Sequence, residues 1–262
     1  MLKNMDMNDL YQMIFKRKSM RKFDRNLSVS IEELGIIEAK LKEIKPLTDD
    51  IKVQFVIVER KQTTAKRGEY CLLMYSEEKP LHLQNAGYML EQIDLFLTSL
   101  NIGVCWYGVT KPKDMQYDGL KYVIMLAFGK CRAEDFRNDI SEFKRKPLSK
   151  IWQGDYFLDL AKVVRIAPSG CNLQPWRIFC NSHEINVCKN ANKKSFPEKK
   201  LAFYNETDFS LIDMGICLCY LEIYFSKYSY CYERKLYDEK KYNSEIVDIA
   251  NYIITSRPDS CI

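Results

Sequence analysis

The segment 17–24 has the residue types of an anion-binding site. In extended backbone alternate residues share a face, so Arg17, Ser19 and Arg21 would point together. Two guanidinium groups and a hydroxyl suit a phosphate dianion, because arginine donates hydrogen bonds from a planar fork. A basic run of this kind, which includes Lys18, is also typical of a solvated helix end or a nucleic-acid patch.

A second polar segment, 167–176, lies between an expected helix and an expected strand. Its two prolines stiffen the chain, and Gly170 is free to adopt left-handed backbone angles. A rigid loop presents its backbone N–H groups, Ser169 and Asn172 at fixed positions, which suits the polar rim of a flat heterocycle. An ordinary helix–strand turn would explain the same prolines and glycine.

Two shorter segments are further candidates. Trp106 and Tyr107 stand before Gly108, where an aromatic pair next to glycine could pack against a ring and offer a backbone donor. The cluster 144–147, Lys-Arg-Lys-Pro, adds positive charge. An ordinary buried strand and a charged linker are the alternatives.

Several common motifs are absent from the sequence. There is no G-x-G-x-x-G, P-loop, G-x-S-x-G or H-E-x-x-H pattern, and the two histidines, His82 and His183, have no recognisable nucleophile motif nearby. Any phosphate ligand must therefore be held by side chains.

Periodicity predicts the elements that position these segments. Ser30 and Glu33 form a capping box that begins a helix ending at Ile44, before Pro46. Two helices that are apolar on most sides, 85–100 and 211–225, should be central. The remaining expected elements are strands at 53–58, 103–106, 122–128 and 177–180, and a helix at 157–166.

The second half of the chain repeats the order of the first. Pro168 corresponds to Pro46 with an offset of 168 − 46 = 122, and Gly215 to Gly87 with 215 − 87 = 128. The close offsets favour a duplication with a small insertion over chance resemblance of two helix–strand units. We expect halves 1–135 and 136–262, joined by the charged segment 132–153.

Composition excludes several classes of protein. The chain has 262 residues, 47% of them hydrophobic, which is enough for one large domain or two small ones. A net charge of +5 with mixed signs is small for a nucleic-acid binder. The 10 cysteines form no C-x-x-C pair, and with two histidines a zinc site has few ligands.

The N-terminus, the cysteines and the most apolar run of the sequence indicate the cellular location and the relation to membranes. The N-terminus is polar and lacks the apolar stretch of a signal peptide, so scattered thiols indicate a reducing cytoplasm. The most apolar run, 211–225, is interrupted by Asp213 and Glu222 and is too short to span a membrane. We expect it to be a buried helix.

Together the four segments resemble the FMN-dependent nitroreductase family. The shared features are the R-x-S-x-R opening, the P-S-x-x-N-x-Q-P-W loop, a glycine-ended strand after a long central helix, and a K-x-R/K-P tail. The resemblance covers roughly Leu10 to Phe225. It implies an α+β fold with antiparallel-rich sheets around long central helices.

The resemblance implies that ordinary members of the family are homodimers with two FMN sites at the subunit interface. Here the first half has the R-x-S-x-R opening, but Pro-Leu-Thr-Asp-Asp at 46–50 stands in place of the P-S-x-x-N loop. The second half has the P-S-x-x-N loop but no R-x-S-x-R segment. One complete site can therefore be assembled. The chain resembles the fused form of the family, in which one polypeptide imitates a dimer and can work as a monomer.

The resemblance implies one role for each segment. The first would hold the ribityl chain and phosphate with help from the basic tail, the 168–172 loop would border the isoalloxazine, and the aromatic segment would lie beside the ring with a backbone N–H near its N5. The implied cofactor-binding residues are Arg17, Lys18, Ser19, Arg21, Trp106, Tyr107, Gly108, Lys144, Lys146, Pro168, Ser169, Gly170 and Asn172.

The implied activity is an NAD(P)H oxidoreductase. FMN would take a hydride from NADH or NADPH at N5 and pass electrons to a small organic acceptor, with no side-chain acid or base and no metal required. A flavin-binding module without turnover, acting as a sensor or flavin store, is the alternative. A nucleic-acid-binding protein using the basic clusters is a weaker one.

Overall fold

Two five-stranded sheets and two long central helices make up the protein. The structure is a computed structural model that describes residues 6–24, 26–190, 208–238 and 245–256. Mixed helices and antiparallel-rich sheets confirm the expected α+β class. The helices are α1 (Tyr11–Lys16), α2 (Ile31–Leu41), α3 (His82–Ser99), α4 (Leu158–Arg165) and α5 (Phe209–Lys227).

The first sheet has the order β1-β2-β5-β3, with β4 paired to β5, and every pairing is antiparallel. Its strands are β1 (Val53–Glu59), β2 (Tyr70–Ser76), β3 (Ile102–Tyr107), β4 (Gln116–Tyr117) and β5 (Leu120–Lys130). Strand β2, which we did not expect from the sequence, lies between β1 and β5 and completes the sheet.

The second sheet has the order β6-β7-β8-β10-β9. Its strands are β6 (Trp152–Gln153), β7 (Trp176–Cys180), β8 (Glu184–Asn190), β9 (Cys231–Leu236) and β10 (Ile246–Ser256). All pairings are antiparallel except that of β6 with β7. The order β7-β8-β10-β9 repeats that of β1-β2-β5-β3, and in each sheet the strand directly after the long helix is at the edge.

The capping box predicted for α2 is present. The Ser30 hydroxyl accepts from the Glu33 N–H, and the Glu33 carboxylate accepts from the Ser30 N–H. The helix ends at Leu41, three residues before Ile44, because Lys42 to Pro46 form turns rather than a further helical turn.

Helices α3 and α5 pack against each other through a glycine on each. A Cβ on Gly87 would lie 1.9 Å from the Ile212 carbonyl oxygen, and a Cβ on Gly215 would lie 1.9 Å from that of Gln84. The backbones therefore approach as closely as only glycine permits. Helix α5 has the length and hydropathy of a membrane span, but 94% of its most apolar window is buried inside the protein, as expected for a core helix.

Each long helix also anchors the loop of its own half. The Asn85 Oδ1 of α3 accepts from the Leu47 N–H at 2.7 Å, and the Asp213 Oδ1 of α5 accepts from the Gly170 N–H at 2.8 Å. The two anchors are 213 − 85 = 128 residues apart, the offset that separates the two glycines. The repeat found in the sequence thus corresponds to repeated contacts.

We predict that Gly215→Ala destabilises the fold by about 3 kcal/mol or more, because the new methyl group would overlap a backbone oxygen that cannot move without shifting α3. Urea unfolding followed by circular dichroism measures the change. Gly35→Ala is the control, since nothing lies within 4 Å of its Cβ position on exposed α2. The control should stabilise by up to about 1 kcal/mol. Equal effects of the two substitutions would contradict the close packing.

Candidate functional site

A cavity of about 490 Å³ lies between the first half and the second. Its volume falls within the range of small-molecule sites, about 300–1,000 Å³. One wall comes from the segment after α1 and from β3, and the other from the loop after α4 and from α5. Both halves of the chain are therefore needed to form it.

The segment after α1 has the alternation expected from its sequence. Ser19 pairs with Val104 of β3 in a parallel bridge, and the Met20 N–H donates to the Val104 carbonyl at 2.8 Å. Arg17, Ser19 and Arg21 consequently all line the cavity. Lys18 points the other way and donates to the Asp135 carbonyl at 3.0 Å, so it does not line the cavity.

Arg17 is not the free cation that the sequence suggested. Its side chain is 2% exposed and donates to the Asp94 carboxylate of α3 at 2.8 Å. Burial opposes its charge, but the carboxyl groups of Asp94 and Glu91 outweigh burial and raise the pKa of Arg17. A second bond, to the Ser19 hydroxyl at 3.3 Å, leaves the Ser19 O–H able to donate into the cavity.

Asp94 joins this wall of the cavity to the central helices. Besides Arg17 it accepts from the Trp106 indole N–H at 2.7 Å, and so fixes the orientation of the ring. Glu91, one turn earlier, is fully buried, and burial together with the Asp94 charge raises its pKa well above the ordinary value. Asp94 thus holds two cavity residues at fixed positions.

Two cations in the cavity remain available to a ligand. Arg21 and Arg67 both line it, both are exposed, and neither forms an ion pair with a described residue. Arg67 follows β1 and was missed in the sequence, since it sits in no motif. Burial raises the pKa of the Cys105 thiol between these arginines, although their charges oppose the shift, so the thiol is neutral.

The loop after α4 forms the opposite wall. Pro168, Ser169 and Gly170 line the cavity as expected, together with Cys171. The left-handed angles expected of Gly170 are instead adopted by three non-glycine residues, Cys171, Asn172 and Gln174, with φ of 50°, 58° and 45°. Such backbone is costly and persists only where surrounding contacts hold it.

Those surrounding contacts come from the basic tail. The Arg145 guanidinium donates to the Ile166 and Ala167 carbonyls and to the Asn172 amide oxygen at 3.0–3.1 Å. Lys146 donates to the Gln174 carbonyl at 3.0 Å. Burial lowers the pKa of Arg145 to about 10.

The positions of Lys144, Lys146 and Asn172 therefore differ from the expectation. None of the three is among the residues that line the cavity. The Asn172 side chain donates to the Lys144 carbonyl at 2.8 Å, and Lys146 is directed into the loop backbone. Lys146 therefore stabilises the loop by donating to its backbone, and Asn172 joins the loop to the basic tail by donating to the Lys144 carbonyl.

The remaining cavity surface is aromatic and aliphatic. Trp106, Tyr107 and Gly108 line it as expected. Helix α5 contributes Phe209, Ile212, Asp213 and Ile216, none of which the sequence motifs identified. The helical spacing of 209, 212, 213 and 216 on one face is the signal that could have found them. No group of three or more metal-ligating side chains occurs among the described residues.

An arginine bridges the place that corresponds to the cavity when the residues of the cavity wall are shifted by 128 positions along the chain. Arg234 of β9 donates to the Glu222 carboxylate of α5 at 2.7 Å and to the Leu47 carbonyl at 2.6 Å. Glu222 and Asp94 are 128 residues apart, as are Arg234 and Trp106. Strand β9 is therefore bonded directly to the loop at Leu47. By contrast, β3 and the 168–172 loop lie on opposite walls of the cavity.

A family sequence model described as "Putative TM nitroreductase" matches residues 9–224. The chain belongs to this nitroreductase family. The family resemblance expected from the sequence is confirmed, and membership implies an oxidoreductase. No curated protein matches the chain significantly.

One solved structure shares the fold over almost the whole chain. A nitroreductase structure from Thermotoga maritima MSB8 has a TM-score of 0.60 and 19% identity, and the match covers 94% of each chain. A nitroreductase family protein from Clostridium difficile 630 has a TM-score of 0.43 and 15% identity over 56% of this chain and 97% of its own. At such identities the first likeness shows the nitroreductase fold alone.

We predict that Asp94→Asn destabilises the protein by about 3–5 kcal/mol, because the buried Arg17 would lose its charged partner. Urea unfolding measures the loss. Asp118→Asn is the matched control, since its ion pair with Lys52 is exposed and its removal should leave stability unchanged. A stable Asp94→Asn variant would show that Arg17 does not depend on this carboxylate.

Proposed function

We propose that the protein is an FMN-dependent NAD(P)H oxidoreductase that reduces a small organic acceptor. The observation that carries this proposal is a cavity with an aromatic wall and two arginines that form no ion pair with a described residue on one side, and a strained polar loop on the other. A flat aromatic cofactor with an anionic tail needs these features together. Family membership supplies the oxidoreductase class.

The residues present fit FMN. Arg21 and Arg67 offer guanidinium groups for the phosphate, and the Ser19 hydroxyl can donate beside them. Two buried polar atoms of the cavity residues, the Tyr107 hydroxyl and the Asp213 Oδ2, have no hydrogen-bond partner among the described residues. Buried polar atoms without partners are rare in folded proteins, and a polar ligand would satisfy them.

Bound FMN would supply two-electron redox chemistry between NADH or NADPH and the acceptor. The contributions of the chain are binding, orientation and charge. Trp106, held by Asp94, fixes one wall of the pocket. Arg21 and Arg67 favour anionic groups in the cavity, and the α5 residues Phe209, Ile212 and Ile216 exclude water from its apolar side. No side chain is required as acid or base.

A single site per chain is part of the proposal. The first half brings the arginines and β3, the second brings the loop and α5, and at the equivalent place Arg234 is already bonded to Leu47. The division into halves 1–135 and 136–262, a pseudodimer within one monomer, accords with the repeated strand order. A reducing cytoplasm suits the nine described cysteines, which are all free thiols.

We predict that Arg21→Ala weakens FMN binding by roughly 10- to 150-fold, because a charged hydrogen bond is worth about 1.5–3 kcal/mol. Fluorescence titration with FMN measures the affinity. Lys18→Ala is the control, because it removes the same charge from a side chain directed at Asp135 rather than the cavity. The assignment is wrong if the two variants bind FMN with equal affinity.

We also predict one FMN per chain and a monomer near 30.9 kDa. Both contributions to the site lie in one polypeptide, and α3 and α5 bury each other within the chain, so self-association is not needed. Sedimentation and flavin titration measure mass and stoichiometry. Two equivalents per chain would contradict the single site, whereas a dimer with one flavin per chain would contradict only the monomer. Binding without NAD(P)H oxidation by an added quinone would favour the flavin-binding module.

A further inference from the structure

Asp213 is a buried acidic residue of the cavity that also anchors the loop after α4. It lines the cavity from α5, and its side chain is almost fully buried. The Oδ1 atom accepts from the Gly170 N–H at 2.8 Å. The Oδ2 atom has no hydrogen-bond partner among the described residues. One carboxyl oxygen is thus bonded to the loop, and the other is buried without a hydrogen-bond partner in a residue that lines the cavity.

The environment of this carboxyl favours its neutral form. Burial raises the pKa of Asp213 to about 8, the Gly170 N–H opposes the shift, and the charge of Asp208 adds to it. At neutral pH the group therefore carries a proton. Because Oδ1 accepts from Gly170, the proton belongs on Oδ2, which makes that atom a donor.

We propose that Asp213 donates a hydrogen bond from Oδ2 to an acceptor atom, a carbonyl oxygen or a ring nitrogen, of the molecule bound in the cavity. The inference rests on the proposed function, since a flavin ring has acceptor atoms of both kinds at its edge. A neutral donor on α5 complements the charged donors on the opposite wall. It selects for a ligand whose rim accepts hydrogen bonds, and it disfavours a ligand that places a donor there.

Other titratable or charged groups lie near Asp213, and the test must distinguish their effect on FMN binding from that of Asp213. At the N-terminus of α5 this is Asp208, and on the helix itself it is Cys217. From the other walls of the cavity they are Arg17, Arg21, Arg67, Cys105, Tyr107 and Cys171. Burial raises the pKa values of Cys105 and Cys217, so both thiols stay neutral at neutral pH. The two thiols that line the cavity, Cys105 and Cys171, are therefore replaced separately as controls.

The test is the affinity for FMN, measured by fluorescence titration at about pH 7 and about pH 9. If only the protonated carboxyl binds, the affinity of the wild-type protein falls roughly tenfold between these values, because about one molecule in ten is still protonated one unit above the pKa. Asp213→Asn keeps a donor and an acceptor but cannot titrate. Its affinity should stay near the wild-type value at pH 7 and should not change at pH 9.

Cys105→Ser and Cys171→Ser are the controls, and both should retain the tenfold fall. A fall that persists in Asp213→Asn, or disappears in a cysteine variant, overturns the inference while leaving FMN binding intact. A wild-type affinity that is the same at both pH values also overturns it. Failure of the wild-type protein to bind FMN at all overturns the proposed function first. If Asp213→Asn does not fold, the wild-type and cysteine profiles decide by the same criteria.

Discussion

The close contact of α3 with α5 is the constraint on which the other features depend. Because glycines bring the two backbones together at Gly87 and Gly215, the first half and the second share one core rather than meeting through side-chain layers. The cavity follows from this contact, since β3 extends from the end of α3 and the 168–172 loop is anchored on α5. A shift between the helices would separate the two walls of the site.

Buried carboxyl groups on these helices organise the polar parts of the protein. Asp94 and Glu222 occupy equivalent positions, and each accepts from an arginine. Glu222 is surrounded by donors, including the hydroxyls of Tyr88, Tyr232 and Tyr252 at 2.7–2.9 Å. A buried charge persists only where partners compensate its loss of water. Asp94 thus orients residues of the cavity wall, whereas Glu222 binds Arg234, which also donates to the Leu47 carbonyl.

Four of the strands were predicted from sequence patterns, whereas others, including β2 and β9, were missed. The buried strand β2 is apolar without alternation, so its pattern does not distinguish a strand from part of a helix. Edge strand β9 alternates only between exposed and partly buried residues and carries mixed charges, a pattern equally typical of a loop. The central helices were predicted because their apolar composition extends over more than four turns. A short segment forms a strand because it pairs with neighbouring strands, and those neighbours are distant in sequence.

The sequence by itself determined the α+β class, the central helices, the repeat, the family resemblance and the alternation of Arg17, Ser19 and Arg21, because each depends on local spacing. Tertiary structure decided which basic groups are free. Arg17 is neutralised by Asp94, 77 residues away, whereas Arg67 lies in the cavity without belonging to a motif. It also directs the Lys146 ammonium group to the Gln174 carbonyl of the loop and the Asn172 amide to the Lys144 carbonyl of the basic tail, because the fold packs these two segments against each other. The charge available to a ligand depends on pairing across the fold, which local spacing does not encode.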